Sequence, residues 1–187
     1  MDCAAQVRSL TVFTIGHSTR TIAEFVALLR QAGVDMVVDV RSFPRSRTNP
    51  QFNTETLPGS LAEAGMSYRH LSALGGRRHR SKAAAPSRNL LWRNDSFRNY
   101  ADYAATDAFR AGLEELRALT LEHCCALMCS EAVWWRCHRR IIADYLLAEG
   151  ISVAHIMGQG QIVPAMLTPG AQGFAGGTLV YPAACAP

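Results

Sequence analysis

The sequence CCALMCSEAVWWRCHRR, over residues 124–140, places a short apolar run directly before a dense cluster of reactive and basic side chains. The apolar run over 124–129 is typical of a buried β-strand, and the pattern over 134–149 predicts an amphipathic helix that ends at Gly150. A strand followed by a helix is the repeating unit of α/β proteins. Because α/β proteins bind ligands outside the carboxyl ends of their strands, this turn is the first candidate site.

Similar units recur on both sides of this stretch. Further strands are predicted over 12–15, 36–40, 66–71 and 152–157, and further helices over 21–33, 54–64, 97–104 and 107–119. Apolar runs without alternation indicate strands that are covered on both faces, as in a parallel sheet. The predicted fold class is therefore α/β: a single three-layer domain over 1–187, with a mostly parallel sheet of about five strands flanked by helices. Its core would span about 12–157, and the Gly- and Pro-rich tail over 158–187 would be irregular or form a terminal hairpin.

The composition is that of a soluble globular protein, with 187 residues, 49% of them hydrophobic, and a mean hydropathy close to zero. No apolar run approaches the roughly 18 residues of a membrane span, and the N-terminus lacks the basic and long apolar segments of a signal peptide. We therefore expect no membrane contact and a cytoplasmic location. With no sign of secretion, the six cysteines are expected to be reduced thiols.

Basic residues are concentrated in one part of the chain. The net charge is +4, yet residues 41–98 hold more than half of the basic residues and only three acids, Glu55, Glu63 and Asp95. Such a basic block favours phosphates, nucleotides or nucleic acid as partners. The alternative is that an arginine-rich composition reflects the base composition of the genome. Part of the block lies over 75–94, which is predicted to be a mobile basic loop.

Polar clusters follow three of the predicted strands, over 16–20, 39–47 and 129–140. Since the carboxyl ends of parallel strands share one edge of the sheet, these clusters should converge. The candidate catalytic residues are Cys129, Glu131, His138 and Asp39. The candidates for binding an anionic substrate are His17, Ser18, Arg20, Arg41, Arg45, Arg47, Arg77, Arg78, Arg136 and Arg139.

Several of these candidates also have a purely structural interpretation. Cys129, near a helix N-terminus and basic residues, would be a thiolate nucleophile or else a small buried residue at a strand end. Glu131 would be a general base or the salt-bridge partner of Arg139. His138 would be a base, a ligand or a helix-surface residue. Arg136 and Arg139 oppose the helix dipole unless they face an anion, which favours their role in binding one.

Metal and base binding are the remaining possibilities in this stretch. Cys129, Cys137 and His138 are possible metal ligands, but their spacing matches no familiar zinc signature. We therefore predict no metal site and name no cofactor. Trp134 and Trp135 would stack on a nucleobase, or one would lie in the core and the other would act as a lid.

Six segments in order along the chain carry a family resemblance. They are TIGHSTRT at 14–21, VDVRSFPRSR at 38–47, LGGRR at 74–78, YADY at 100–103, LMCSE at 127–131 and CHR at 137–139. With these segments the chain resembles the DUF488 family, a widespread domain of unknown function. The resemblance implies an α/β fold and a site among these residues rather than a particular activity.

A second similarity is more distant. The DVR at 39–41 after a strand, followed later by strand, cysteine, loop, arginine and helix, resembles the layout of rhodanese. Six residues separate Cys129 from Arg136, whereas rhodanese and cysteine-phosphatase loops usually have five. The loop also carries Glu131 and two tryptophans where those loops have small residues, so the rhodanese mechanism does not transfer directly.

Three functional hypotheses follow from these observations. The first is a hydrolase or transferase that binds a nucleotide or nucleic acid through arginines and uses Cys129, Glu131 and His138, with sulfur transfer among the candidate reactions. The second is a non-catalytic nucleic-acid-binding module, in which the basic block contacts phosphates. The third is a thiol or metal sensor based on Cys129 and Cys137. We favour the first.

Overall fold

The predicted apolar runs form the centre of one sheet. The computed structural model describes residues 11–79, 85–174 and 177–183. The strands are β1 (Thr11–Gly16), β2 (Met36–Asp39), β3 (Ser67–His70), β4 (Cys125–Cys129), β5 (Ser152–Gly158) and β6 (Gln161–Pro164). A separate antiparallel pair consists of β7 (Gln172–Phe174) and β8 (Thr178–Val180). The helices are α1 (Ile22–Gln31), α2 (Leu57–Glu63), α3 (Asp95–Ala104), α4 (Asp107–Glu122) and α5 (Arg139–Ala148).

The strand order is β3-β2-β4-β1-β5-β6, and β1 to β5 are all parallel to one another. The prediction of a mostly parallel α/β sheet is therefore confirmed. β6 is the additional strand: it turns back through Gly160, whose φ is +69°, and pairs antiparallel with β5. The start of the predicted tail is thus a hairpin. In the register of the sheet, Gly16 lies opposite Cys129 and Asp39 opposite Met128, so the ends of three strands coincide.

Helices cover both faces of the sheet and produce the three layers. One core cluster packs α3, α4 and α5 against the sheet through side chains such as Tyr100, Phe109 and Ile141. The other packs α1 and α2 against the opposite face through Phe25 and Leu61. Each of these five side chains is essentially inaccessible to solvent, and burying one contributes about 2 kcal/mol to folding.

Helix boundaries follow local capping where the sequence provides it. Thr21 and Glu24 form the predicted capping box at the start of α1, with each side chain bonded to the other residue's backbone N–H. The helix predicted over 134–149 begins later, at Arg139. Trp134–Arg136 forms a single 3₁₀ turn instead, and the Trp134 ring stacks on His155 with centroids 4.4 Å apart. A tertiary contact therefore overrides the helical pattern here.

The basic loop over 75–94 has no helix or strand within its described residues, 75–79 and 85–94. Its second half is packed rather than free: Trp92 is buried, and the buried Asn89 side chain bonds to Asp102 and to the backbone of Tyr181. Residues 80–84 of this predicted loop lie outside the described residues, as do Cys3 and Cys185. The other four cysteines are free thiols, and no helix in the described part of the chain could span a membrane.

Candidate thiol site at the carboxyl edge of the sheet

A cleft of about 460 Å³ lies where the ends of β1, β2 and β4 meet. Its walls also include the 75–77 segment, the first turn of α3 and the loop between β4 and α5. The cleft brings together eight of the predicted site residues, namely His17, Arg41, Arg45, Arg77, Cys129, Glu131, Arg136 and His138. The other six do not line it, namely Ser18, Arg20, Asp39, Arg47, Arg78 and Arg139.

Two thiols and an imidazole meet on one wall of the cleft. The Sγ atoms of Cys129 and Cys137 and a ring nitrogen of His138 all lie within 4.8 Å of one another. The Nε2 atom of His138 is 2.8 Å from the Val40 carbonyl oxygen, which can only accept a hydrogen bond, so Nε2 carries the proton. The lone pair of His138 is therefore on Nδ1, which lies 3.6 Å from the Cys137 sulfur.

Cys137 is the thiol that the surroundings ionise. Cys137 precedes His138, the N-cap residue of helix α5, and the Nε–H of Arg139 donates to its Sγ at 3.3 Å. Burial by itself raises the pKa of Cys137, but the hydrogen bond from Cys129 and the Arg139 charge outweigh it, so the pKa is lowered overall. The hydrogen bond donated to Cys137, together with burial, raises the pKa of Cys129. The pKa values of the two thiols therefore shift in opposite directions, and Cys137 is the one that ionises more readily.

Arg139 lies behind this wall and does not line the cleft. The side chain is 1% exposed, and its Nη2 donates to the backbone carbonyl of Glu131 at 2.5 Å. The predicted salt bridge to the Glu131 carboxylate is replaced by this carbonyl contact, and the Glu131 side chain is exposed at the cleft. One guanidinium thus both holds the β4–α5 loop and stabilises the Cys137 thiolate.

Two glycines permit the close packing around the thiols. A Cβ on Gly16 would lie 2.0 Å from the Glu131 carbonyl oxygen, which explains how the β4–α5 loop folds over the end of β1. Two backbone hydrogen bonds continue the β1–β4 ladder into this loop, from His17 N to Cys129 O and from Ser18 N to Ser130 O. A Cβ on Gly76 would lie 2.3 Å from Nδ1 of His138, so only glycine leaves that nitrogen room.

A neutralised ion pair lies at the base of the cleft. The Asp39 carboxylate is fully buried and accepts hydrogen bonds from Nε and Nη2 of Arg41, from the Arg41 backbone N–H and from the Tyr68 hydroxyl. Arg41 Nη1 lies 3.2 Å from His17 Nε2, and the His17 Nδ1–H donates to Ser18 O. Burial lowers the pKa of His17 to about 4, so the ring is neutral and accepts from Arg41. Asp39 therefore holds Arg41 in place and does not reach the cleft.

Three of the predicted anion-binding arginines lie elsewhere. Arg20 donates to the carbonyls of Gly16 and Met157, and Arg78 stacks 3.7 Å from the centre of the Tyr103 ring. Arg47 is exposed in the loop after β2. The charged rim of the cleft is therefore formed by Arg45, Arg77 and Arg136 and by one carboxylate, that of Glu131, all of which are exposed.

The family described as "Domain of unknown function DUF488" matches residues 21–146. The chain belongs to the DUF488 family. The match runs from the start of α1 nearly to the end of α5 and so includes the thiols, the imidazole and the buried ion pair. Neither a search of curated proteins nor a search of solved structures finds a match to the chain.

Several residues of this DUF488 site were not among the sequence candidates. The sequence predicts Cys137 only as a possible metal ligand or sensor thiol, and it predicts no role at His138 for Gly76 or the Val40 carbonyl. A signal for Cys137 was present, because a cysteine just before a helix and next to an arginine is the usual setting of a low-pKa thiol. It was obscured because the predicted helix started five residues too early, which placed Cys137 inside the helix.

The same DUF488 cluster offers ligand types that zinc accepts, two cysteine sulfurs and a histidine nitrogen. A closed structural zinc site uses four protein ligands. Within the described residues, no fourth histidine, cysteine or carboxylate joins the three. In the part of the chain that the structure describes, the cluster therefore does not form a closed four-ligand site.

Proposed function

We propose that this protein is a cysteine-dependent hydrolase or group transferase for a small anionic substrate of the nucleotide type. Cys137 is the nucleophile, His138 the proton acceptor and donor, and Arg45, Arg77 and Arg136 bind the anion. The observation that carries the proposal is the 2.8 Å contact between His138 Nε2 and the Val40 carbonyl. It turns the basic Nδ1 toward the Cys137 sulfur, and a nucleophile beside an oriented base is the arrangement required for covalent catalysis.

The proposed reaction has two steps. The Cys137 thiolate attacks the electrophilic acyl or phosphoryl centre, a bond from sulfur to that centre forms, and the bond to the leaving group breaks. The thiol proton of Cys137 has passed to Nδ1 of His138 before this attack, and the protonated imidazole donates it to the leaving group. In the second step water, or an acceptor hydroxyl or amine, attacks the covalent intermediate and gives a proton to His138, and the Cys137 thiolate leaves.

The charges of the cleft support an anionic substrate. The Asp39 carboxylate neutralises Arg41 at the base, whereas Arg77 and Arg136 on the rim are exposed and have no carboxylate partner among the salt bridges of the described residues. Arg45 pairs with Glu55 at 2.5 Å, but both side chains are more than half exposed, so a phosphate can compete for this arginine. Guanidinium groups bind phosphates and carboxylates with two parallel hydrogen bonds.

The uncharged walls of the cleft support a substrate with a flat apolar part. Phe97 and Tyr100 line one side, and Phe43, which is 70% exposed, stands at the opening with the Arg77 guanidinium 5.7 Å from its ring centre. Aromatic rings beside arginines provide stacking surfaces for a nucleobase. A volume of about 460 Å³ lies within the usual range for small-ligand pockets.

Selective alkylation tests the thiol and the anion site together. We expect iodoacetate and iodoacetamide to modify Cys137 first. The ratio of the iodoacetate rate to the iodoacetamide rate should be at least about threefold higher for Cys137 than for free cysteine. Arg136→Gln should lower this ratio without lowering the iodoacetamide rate. Cys124→Ser is the matched control, since Cys124 is half-buried and lies outside the cleft. First modification at Cys124 or Cys125, or a ratio equal to that of free cysteine, would refute the proposal.

Protection from alkylation then identifies the ligand class. Inorganic phosphate, nucleoside monophosphates and nonaromatic phosphate esters would be compared as protectants, and the best protectant's esters and anhydrides tested as substrates. We expect a nucleoside monophosphate to protect better than phosphate alone. Equal protection by all three would mean that the cleft recognises the anion alone and does not recognise a nucleobase.

A second candidate function has its own observation. Trp135 is 48% exposed and Phe43 is 70% exposed, and both lie close in sequence to rim arginines. Exposed aromatics among arginines are typical of single-stranded nucleic acid binding. A labelled oligonucleotide should then bind with an affinity that falls steeply with salt, weakens in Phe43→Ala and is unchanged in Cys137→Ser. Turnover of a small substrate that requires Cys137 would decide for the enzyme.

A further inference from the structure

We infer that Cys129 and Cys137 form a peroxide-reactive dithiol site, in which hydrogen peroxide oxidises Cys137 and Cys129 closes a reversible disulfide. The two sulfurs lie within 4.8 Å of each other and both line the same cleft. A dithiol of this kind is a modification site in its own right. It needs no substrate and no cofactor, so it goes beyond the proposed hydrolase or transferase and does not rest on it.

The surroundings divide the roles between the two thiols. Cys137 has the Arg139 Nε–H at 3.3 Å, and a cation beside a sulfur favours the thiolate, which is the form that attacks peroxide. Among the described hydrogen bonds, no cation donates to the Cys129 sulfur, which contacts the Ser130 hydroxyl at 3.9 Å. Cys129 is therefore the resolving thiol, which attacks the Cys137 sulfur after peroxide has oxidised it.

The chemistry balances with hydrogen peroxide as the only oxidant. The Cys137 thiolate attacks one peroxide oxygen, the O–O bond breaks, and hydroxide leaves and takes a proton, which gives Cys137 sulfenic acid and water. The Cys129 thiol then attacks the sulfenic sulfur, the S–O bond breaks, and the hydroxyl leaves as a second water with the Cys129 proton. Two thiols are oxidised to one disulfide while one peroxide is reduced to two waters.

The loop between β4 and α5 permits the closure. Cys129 is the last residue of β4 and is fixed by its ladder partner Gly16, whereas Cys137 follows the 3₁₀ turn Trp134–Arg136 outside regular structure. A disulfide requires the sulfurs to approach to about 2.05 Å. The movement therefore falls on residues 130–137, and the sheet need not change.

The other described thiols lack this setting. Cys124 and Cys125 lie at the opposite end of β4, outside the cleft, and burial raises the pKa of both. Although they are adjacent in sequence, neither has a cation near its sulfur among the described hydrogen bonds and salt bridges. Among the four described thiols, oxidation is thus expected at the pair of Cys129 and Cys137.

The test is oxidation of the full chain with a small excess of hydrogen peroxide, followed by alkylation and peptide mapping. We expect one disulfide, between Cys129 and Cys137, that dithiothreitol reverses. Cys129→Ser should form no disulfide and should instead accumulate Cys137 sulfenic acid, which dimedone traps. Cys137→Ser should consume hydrogen peroxide at least about tenfold more slowly than the wild type. Cys124→Ser should behave as the wild type.

Two outcomes would overturn the inference: a disulfide that links other cysteines, or overoxidation of Cys137 in the wild type with no disulfide. Circular dichroism of each variant would establish that it is folded, and Cys129→Ala is the substitute should Cys129→Ser unfold. The result is separable from the proposed function. Selective alkylation of Cys137 without disulfide formation defeats the dithiol alone, whereas a disulfide without any anion preference defeats the proposed function alone.

Discussion

His138 donates a hydrogen bond from Nε2 to the Val40 backbone carbonyl at 2.8 Å, and this contact decides which ring nitrogen faces the Cys137 sulfur. Val40 directly follows strand β2, whereas His138 caps α5, so the contact joins two elements that are far apart in sequence. Because the acceptor belongs to the backbone, the orientation of the imidazole does not depend on the identity of the Val40 side chain. It depends on the space around the ring.

Gly76 provides that space, and its replacement should disable the base. In Gly76→Ala the new Cβ would lie 2.3 Å from His138 Nδ1 and displace the ring from Cys137. We expect the turnover supported by His138 to fall at least about tenfold, with a small loss of stability. Gly59→Ala is the matched control, since a Cβ there meets nothing within 4 Å and alanine favours a helix. Equal activity of the two variants would contradict the assigned role of His138.

The pH dependence of Cys137 alkylation follows from its lowered pKa. Only the thiolate reacts, so the rate should rise with pH and reach half its maximum below the pKa of about 8.5 of a free cysteine. Cys129→Ala removes a hydrogen bond that stabilises the thiolate, and the midpoint should move to higher pH. Cys124→Ala should leave it in place. A wild-type midpoint at or above that of free cysteine would be incompatible with the thiolate assignment.

The buried pair of Asp39 and Arg41 should be costly to break. Asp39→Asn leaves the Arg41 guanidinium buried without its carboxylate, which costs about 3–5 kcal/mol of unfolding free energy. Glu114→Gln serves as the control because its pair with Arg117 is exposed at 3.1 Å and contributes less than about 1 kcal/mol. Urea denaturation of the two variants would compare them directly. Similar losses would show that the buried pair is not a stabilising element.

Two buried histidines predict a loss of stability in acid. Burial lowers the pKa of both His17 and His155 to about 4, from the ordinary value of 6.5. Between these values the unfolded chain binds protons that the folded chain does not, so the free energy of unfolding falls as the pH drops from 6.5 toward 4. Each histidine contributes at most about 3 kcal/mol to this loss.

His155→Gln isolates one of these contributions. The variant loses the 2.8 Å contact between Thr14 Oγ1 and His155 Nδ1, so it should be less stable than the wild type at pH 7. Its stability should nevertheless depend less steeply on pH, because one titrating group is gone. Urea midpoints at pH 7, 5.5 and 4.5 would measure the two slopes. Equal pH dependence of stability in the two proteins would mean that folding does not lower the pKa of His155.

The fold was predictable because its determinants are local. Apolar runs such as 36–40 report strands covered on both faces, and the Thr21 capping box lies within four residues of sequence. The position of the site was also predictable, since the ends of parallel strands share an edge. Strand β6 was harder to recognise, because all four of its residues are exposed and it has no pattern of burial.

The roles within the site could not be read from the sequence, because they depend on contacts that only the folded chain creates. Asp39 and Arg41 are two residues apart, but their spacing does not reveal that they pair with each other. Nor does it reveal that the Tyr68 hydroxyl from β3 also donates to Asp39. Cys137 became the stabilised thiol because the helical pattern gave way to the 3₁₀ turn Trp134–Arg136. Because of these tertiary contacts, the nucleophile proposed for this site is Cys137, whereas the candidate from the sequence is Cys129.

The rim arginines stand on connecting segments, whereas the thiols and His138 are held by the sheet edge and by the start of α5. In the proposed function, selectivity and reactivity therefore reside in separable parts of the molecule. A library restricted to Phe43, Arg45 and Arg77 would vary what enters the cleft while leaving the sulfur chemistry intact. The same division makes this domain a practical scaffold for retargeting, because new specificities can be sampled without rebuilding the reactive centre.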